Sequence, residues 1–244
     1  MYLQKVRNCN GVAQVEMSAQ KLHAYILPLR KEYARKRKKE QAEEMSCYMK
    51  NLFPFVGIPS PDRKEIFKQH LAKYGLPDYK ELSAIVKSCY SQPQREYHYF
   101  AIDLAGKFAK KADESFVPLL EFLVTENSWW DSVDSVASNC TRDFFKRNIA
   151  LQIPVTRKWM DSENMWLQRA SILFQLNYKN ETNEKLLYKY IVELKSSNEF
   201  FIQKAIGWAL REYSKSNPMS VKKFLAENKL AKLSVREASK YLSV

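Results

Sequence analysis

Four aromatic-led segments recur along the chain at nearly constant spacing. Their first residues, Tyr97, Trp130, Trp166 and Phe201, are 33, 36 and 35 residues apart. A period in this range, with one aromatic residue per unit, is typical of stacked helical repeats, because each repeat buries its apolar face against its neighbours. The spacing therefore predicts an all-α chain built as an α-solenoid.

The rest of the sequence favours the same architecture, of HEAT-like helical pairs. No convincing alternating strand pattern occurs, and only five glycines are present, which argues against a fold with many turns. We expect an unstructured leader at residues 1–16 and a single repeat domain at 17–244, because no Gly- or Ser-rich linker divides it. The predicted helices cover about 18–38, 41–53, 61–73, 78–91, 94–111, 115–125, 129–147, 155–160, 163–178, 182–195, 199–216, 218–228 and 234–242.

The charge distribution indicates a polyanionic partner. The formal net charge is +13, and the ten residues from Arg30 to Lys39 contribute +6 of it. Such a run is either a solvated helix face or an arm that follows phosphates, and the second interpretation places Arg35, Lys36 and Arg37 among the DNA-binding residues. Charge alone leaves nucleic acid or an anionic membrane surface as the partner, and we expect a monomeric protein.

Several other classes of function are disfavoured. The glycines are scattered, so no phosphate-binding loop can be built. The four cysteines and three histidines have no disulfide or zinc spacing, so we expect neither a metal nor a cofactor. No apolar run reaches the roughly 18 residues that a membrane span needs. A signal peptide is also missing, which predicts a cytoplasmic protein, associated with the nucleoid when it is bound to DNA.

One repeat departs from the others in a way that suggests chemistry. Four residues after the leading aromatic, three segments carry alanine and one carries Asp134. On the equivalent face of the following repeats, Arg169 and Trp208 stand where other units have apolar or aliphatic residues. Stacking would bring them beside Trp130 on one surface. The alternative is that both tryptophans belong to the core and that Asp134 is a buried partner of Arg169, although such a pair adds little net stability.

A carboxylate between indole rings is suited to stabilising a cation. Loss of a base from a nucleotide passes through an oxocarbenium-like sugar, and ordinary glycoside cleavage uses a second carboxyl group to protonate the leaving group. A purine alkylated at N3 or N7 is already positive and leaves without protonation. One acid, Asp134, between Trp130 and Trp208 therefore suits alkylated purines and would not suit an undamaged base.

The motifs resemble those of the AlkD family of DNA alkylation-repair glycosylases. The similarity is carried by Ser-Trp-Trp-Asp-Ser-Val-Asp-Ser at 128–135, Trp-Leu-Gln-Arg-Ala at 166–170 and Phe-Phe-Ile-Gln-Lys-Ala-Ile-Gly-Trp at 200–208. Looser matches occur at 48–51 and 61–64. The resemblance implies a curved HEAT-like solenoid that holds duplex DNA in a concave face and excises 3-methyladenine and 7-methylguanine without metal or cofactor.

The resemblance also implies roles for individual residues. Trp130 and Trp208 would lie against the deoxyribose of the lesion, Asp134 would stabilise the oxocarbenium and position water, and Arg169 would support the site or a phosphate. The remaining DNA contacts would come from Tyr48, Ser60, Lys64, Lys204 and Arg211.

Two other functions are compatible with the same fold and charge. One is a non-catalytic protein that binds damaged or branched DNA. The other is a protein-interaction scaffold, which predicts little DNA affinity at about 0.1 M salt. A lyase activity is not expected, because the Trp/Asp motif contains no lysine to form a Schiff base, although Lys204 in the next repeat is a candidate.

Overall fold

Every regular element that the structure describes is helical. The computed structural model describes the backbone of residues 9–242 and the side chains of residues 20–242. The predicted all-α, α-solenoid class is confirmed. No helix in the described range is both long and apolar enough to cross a bilayer. The α-helices are α1 Cys9–Arg35, α2 Lys39–Tyr48, α3 Ser60–Tyr74, α4 Tyr79–Tyr90, α5 Arg95–Ala109, α6 Val117–Thr125, α7 Trp130–Ser135, α8 Arg142–Arg147, α9 Ile149–Met160, α10 Met165–Leu173, α11 Glu184–Leu194, α12 Phe200–Ser214, α13 Pro218–Glu227 and α14 Lys232–Ala238.

The chain divides into two compact units, and the predicted single domain at 17–244 stays a prediction. The N-terminal unit ends at Leu104 and the C-terminal unit begins at Ala105. The boundary lies inside α5, and an unbroken helix carries no Gly- or Ser-rich signature by which sequence could mark it. The predicted leader at 1–16 also stays a prediction: α1 begins at Cys9, and residues 1–8 lie outside the described range.

The basic segment at the end of α1 is anchored within the N-terminal unit. The buried carboxylate of Glu96 accepts backbone N–H bonds from Val56, Gly57 and Ile58 at 2.9, 2.9 and 3.1 Å. Gly57 adopts a φ of +97°, and a Cβ there would overlap the carbonyl oxygen of Lys38. The Lys38 N–H in turn donates to the Val56 carbonyl at 3.2 Å. A glycine is therefore required where this loop meets the α1–α2 connection.

The C-terminal unit is organised around α12. This helix packs against α10, α13 and α14. The two helices α12 and α14 approach closely at Gly207, where a Cβ would lie 2.5 Å from Glu237 Cβ and 2.9 Å from the Ser234 carbonyl oxygen. The Ser234 hydroxyl also donates to the Gln203 carbonyl at 2.8 Å. The core around α12 includes Ile172, Leu173, Leu187, Ile191, Ile202, Ile206, Leu210, Val221 and Phe224.

Three helix predictions need correction. The predicted helix 41–53 ends at Tyr48, because Lys50 and Asn51 take left-handed conformations with φ of 59° and 57°. The predicted helix 155–160 begins earlier, at Ile149, and Pro154 lies inside it. The predicted helix 129–147 is helical from residue 130 to residue 147, but it is not one α-helix, because a π-helical segment at 136–141 separates α7 from α8.

Candidate active site

Two adjacent tryptophans begin α7 and have different roles. Trp129 has an extended backbone (φ −152°, ψ 166°) and Trp130 is the first helical residue. The Ser132 hydroxyl donates to the Trp129 carbonyl at 3.1 Å and accepts from its N–H at 3.4 Å, which secures this helix start. Because the backbone changes conformation between the two residues, their indole rings do not share one environment.

Trp129 belongs to an aromatic cluster that joins the first turns of three helices. Its ring lies 5.9 Å from that of Trp166 on α10 and 4.9 Å from that of Phe201 on α12, and the latter two are 5.1 Å apart. The repeat spacing pairs Trp130, not Trp129, with Trp166 and Phe201. In the structure Trp129 takes the packing role, and Trp130 lines an adjacent cavity.

That cavity brings together every catalytic residue predicted from the sequence. Its volume is about 450 Å³. Asp134 replaces the alanine that is buried at the corresponding positions 101, 170 and 205, and its side chain is 15% exposed. The carboxylate therefore reaches the cavity instead of being sealed in the core. The lining residues are Trp130, Asp134, Arg169, Phe200, Phe201, Lys204, Trp208, Arg211, Glu237 and Lys240.

Asp134 is held in a single orientation by Arg169. The guanidinium donates from Nε to Oδ1 and from Nη2 to Oδ2, both at 2.8 Å. Its Nη1 donates to the carbonyl oxygen of Phe201 on α12. Arg169 is only 4% exposed, so its contacts are directed to the site and not outward to a phosphate. Of the two roles that the resemblance implied for Arg169, the geometry favours support of the site.

The pKa of Asp134 reflects two opposing effects. Burial is the larger one and raises the pKa of the carboxyl, with a smaller contribution from the nearby charge of Asp131. The hydrogen bonds and charge of Arg169 act in the other direction. Since Arg169 donates to both carboxyl oxygens, it favours the ionised form that cation stabilisation requires.

A π-helical segment follows Asp134 directly. Side-chain hydroxyls satisfy backbone carbonyls around it: Ser138 Oγ donates to the Asp134 carbonyl at 2.7 Å and Thr141 Oγ1 donates to the Ala137 carbonyl at 2.8 Å. Ser and Thr side chains that bond back to the preceding turn loosen regular α-helical geometry, and π-bulges often occur at functional sites.

The structure separates the predicted DNA-binding residues into two groups. Lys204 and Arg211 line the same cavity as Asp134. The others belong to the N-terminal unit: Arg35 ends α1 and pairs with Glu32 at 2.6 Å, Lys36 and Arg37 follow it, Tyr48 is exposed at the end of α2, and Ser60 and Lys64 are exposed in the first turns of α3.

Sequence reasoning missed part of the cavity wall. Glu237 and Lys240 belong to α14 and the turn after it, and Phe200 stands at the start of α12. The i, i+3 spacing of Glu237 and Lys240 is compatible with a local ion pair, but nothing in the sequence links Glu237 to α12. Among the described side chains, no group of three or more His, Cys, Asp or Glu residues is arranged to hold a metal ion.

Comparison with known proteins identifies the family. A solved structure described as a predicted DNA alkylation repair enzyme from Enterococcus faecalis shares 37% identity, covers 85% of this chain and 97% of its own, and has a TM-score of 0.80. AlkD2 from Streptococcus mutans and smu.31 from S. mutans UA159 each share 23% identity. They cover 74% of this chain and 90% and 92% of their own, with TM-scores of 0.60 and 0.59, and show likeness of fold.

The comparison with curated proteins found no match. The model of the DNA alkylation repair enzyme family matches residues 29–242, a range that contains the whole cavity wall. The chain therefore belongs to the DNA alkylation repair enzyme family.

Proposed function

We propose that the protein is a monofunctional DNA glycosylase that hydrolyses the N-glycosidic bond of N3- and N7-alkylated purines, such as 3-methyladenine and 7-methylguanine, in duplex DNA. One observation carries the proposal: the Asp134 carboxylate, fixed by Arg169, opens into a cavity that Trp130 and Trp208 also line. The family membership of the chain supports DNA alkylation damage as its target.

The proposed reaction uses this arrangement to stabilise a sugar cation. The bond between C1′ and the base nitrogen breaks, and both electrons go to the base, which becomes neutral because it began as a cation. Water then adds to C1′ of the oxocarbenium-like sugar and releases a proton. The negative charge of the Asp134 carboxylate stabilises the positive charge that develops on the sugar, and the carboxylate accepts a hydrogen bond from the water. The indole faces of Trp130 and Trp208 attract the same cation, by roughly 0.5–2 kcal/mol per ring.

A second carboxylate in the cavity does not supply a general acid. Ion pairs with Lys240 and Lys204 lower the pKa of Glu237 to about 2, so this group is ionised at neutral pH and has no proton to donate. Both carboxylate oxygens of Asp134 accept hydrogen bonds from Arg169, and the proposed reaction uses this group as an anion, not as an acid. A leaving base that needs protonation is therefore unsuited to the cavity, whereas an alkylated, positively charged purine is suited to it.

The same ion pairs argue against a lyase step. Lys204 lines the cavity, but its ammonium lies 3.1 Å from Glu237 Oε1. The amine that a Schiff base would require is therefore engaged in an ion pair. Borohydride should therefore trap no covalent complex between the protein and a duplex with an abasic site.

The test is release of free base from defined duplexes. The protein is incubated with a duplex that contains one 7-methylguanine and with a matched duplex that contains guanine, and released bases are quantified by mass spectrometry. We expect release from the alkylated duplex only. No release from either, with DNA binding that weakens steeply as salt rises, would replace the proposal with a non-catalytic DNA-binding protein. No binding at about 0.1 M salt would indicate a protein-interaction scaffold.

A further inference from the structure

Glu237 is the centre of a cluster of four charged side chains at the cavity wall. Its Oε1 lies 3.1 Å from Lys204 Nζ, and its Oε2 lies 3.0 Å from Arg211 Nη1 and 2.7 Å from Lys240 Nζ. These three cations come from two turns of α12 and from the short turn after α14. One carboxylate thus connects side chains that are up to 36 residues apart in the sequence.

The carboxylate of the cluster is buried, whereas the three cations around it are partly exposed to solvent. The Glu237 side chain is 6% exposed, whereas those of Lys204, Arg211 and Lys240 are 37%, 20% and 49% exposed. Arg211 also lies 3.8 Å from Glu212, which pairs with Lys215 at 2.7 Å, and the six side chains together carry a net charge of +2. An approaching anion would therefore meet the cations first and would have no need to displace the buried carboxylate.

The backbone places Glu237 in this position through close helix packing. A Cβ on Gly207 would lie 2.5 Å from the Cβ of Glu237, so α14 can approach α12 only because residue 207 is glycine. The hydrogen bond from Ser234 Oγ to the Gln203 carbonyl, at 2.8 Å, holds the preceding turn of α14 on the same helix. The position of the Glu237 carboxylate is thus set by the packing of α14 on α12 and not by a loop.

We infer that Glu237 is a positioning residue that holds Lys204, Arg211 and Lys240 together as a binding site for one phosphodiester group of the DNA backbone. The identification of DNA as the ligand rests on the proposed function. A lysine that is already ordered loses less conformational freedom when it binds a phosphate than one that is mobile in solvent. This explains why a buried acid is present in a wall that would otherwise attract DNA through its cations alone.

For the variant Glu237→Gln, a positioning role and a simple effect of net charge predict opposite changes in DNA affinity. Replacing Glu237 with glutamine makes the protein more positive by one charge, so attraction through overall charge predicts tighter DNA binding. If Glu237 orders the cations, Glu237→Gln instead weakens binding, because the lysines must then be immobilised during association. Glu227→Gln is the matched control, since Glu227 ends α13, is 60% exposed and pairs only loosely with Lys223 at 3.8 Å.

The experiment measures the dissociation constant of the full-length protein for an undamaged duplex at several salt concentrations. For Glu237→Gln we expect affinity lower on the order of tenfold, equivalent to ordering one or two flexible side chains. The slope of log K against log salt should stay close to that of the wild type, because the variant keeps all three cations and therefore the phosphate contact. Glu227→Gln should bind as tightly as the wild type or slightly tighter. Equal or tighter binding by Glu237→Gln would overturn the inference.

Thermal unfolding shows whether Glu237→Gln folds. If it does not fold, a second variant tests the inference independently. Lys240→Met removes one half-exposed cation outside α14. Because a cation is lost, the slope should be smaller in magnitude by about 0.9. An unchanged slope for Lys240→Met overturns the inference independently. Where both variants fold, their effects in the double variant should be less than additive, because Glu237 acts partly through Lys240. Base release by the wild type is measured separately, so a failure of the proposed glycosylase activity is distinguishable from a failure of this inference.

Discussion

Replacing Asp134 with asparagine changes one charge at the cavity wall with almost no change in volume. In the wild type both carboxyl oxygens accept from Arg169 at 2.8 Å. Asparagine keeps one oxygen but presents an NH₂ group to a guanidinium that can only donate. The substitution therefore removes the negative charge, loses one hydrogen bond and leaves the positive charge of Arg169 without a counterion.

The expected loss of rate follows from the size of the missing attraction. Two unit charges about 4 Å apart interact by about 4 kcal/mol at an effective dielectric constant of about 20. Each 1.36 kcal/mol of lost transition-state stabilisation is tenfold in rate, so Asp134→Asn should release 7-methylguanine about 10³-fold more slowly. The assay is single-turnover release from a duplex with one 7-methylguanine, because product release then does not limit the rate.

Two further variants separate charge at the site from general damage. Asp131→Asn removes the same charge three residues earlier in α7, at a position that does not line the cavity, and should retain a rate close to that of the wild type. If Arg169 acts by holding Asp134, the double variant Asp134→Asn/Arg169→Gln should be no slower than Asp134→Asn alone, because the group that Arg169 positions is already neutral.

Stability must be measured beside the rate. Removing one partner of a buried ion pair costs about 3–5 kcal/mol, and Arg169 is 4% exposed, so Asp134→Asn should also unfold at a lower temperature. Rates are therefore compared at a temperature at which every variant is folded by circular dichroism. A folded Asp134→Asn variant whose rate stays within about tenfold of the wild type would refute the assigned role of the carboxylate.

The remaining predictions concern pH and helix packing. Since burial raises the pKa of Asp134 and the reaction needs its anion, single-turnover rates should fall as the pH is lowered, with an apparent pKa above that of an exposed aspartate; a limb at or below the ordinary value would contradict this. Gly207→Ala should destabilise the protein by about 1–3 kcal/mol in urea unfolding, because the new Cβ would lie 2.5 Å from Glu237 Cβ. Gly106→Ala is its control, since a Cβ there meets Cys140 Sγ at 3.8 Å and nothing closer; a larger loss at this position than at 207 would show that the contact with α14 is not the cause.

The sequence alone determined the fold class and the central residues of the candidate site. Helical periodicity is a local property, so the near-constant aromatic spacing was enough to predict the helices and their repeats. The site residues were visible because they break that repeat: an acid stands at 134 where alanines are otherwise buried, and an arginine and a tryptophan stand at 169 and 208. The structure places these residues together with Trp130 around one cavity.

Only the tertiary structure decided what each neighbour contributes. Residues 129 and 130 are both tryptophan, so the sequence does not distinguish their roles. Residue 129 has an extended backbone and its ring packs in the aromatic cluster, whereas Trp130 lines the cavity. The role of Glu237 depends on the close approach of α14 to α12 at Gly207. Both results depend on contacts between residues that are far apart in the chain. Local periodicity carries no record of such contacts, since it reports which face of a helix is apolar and not which side chains that face will meet.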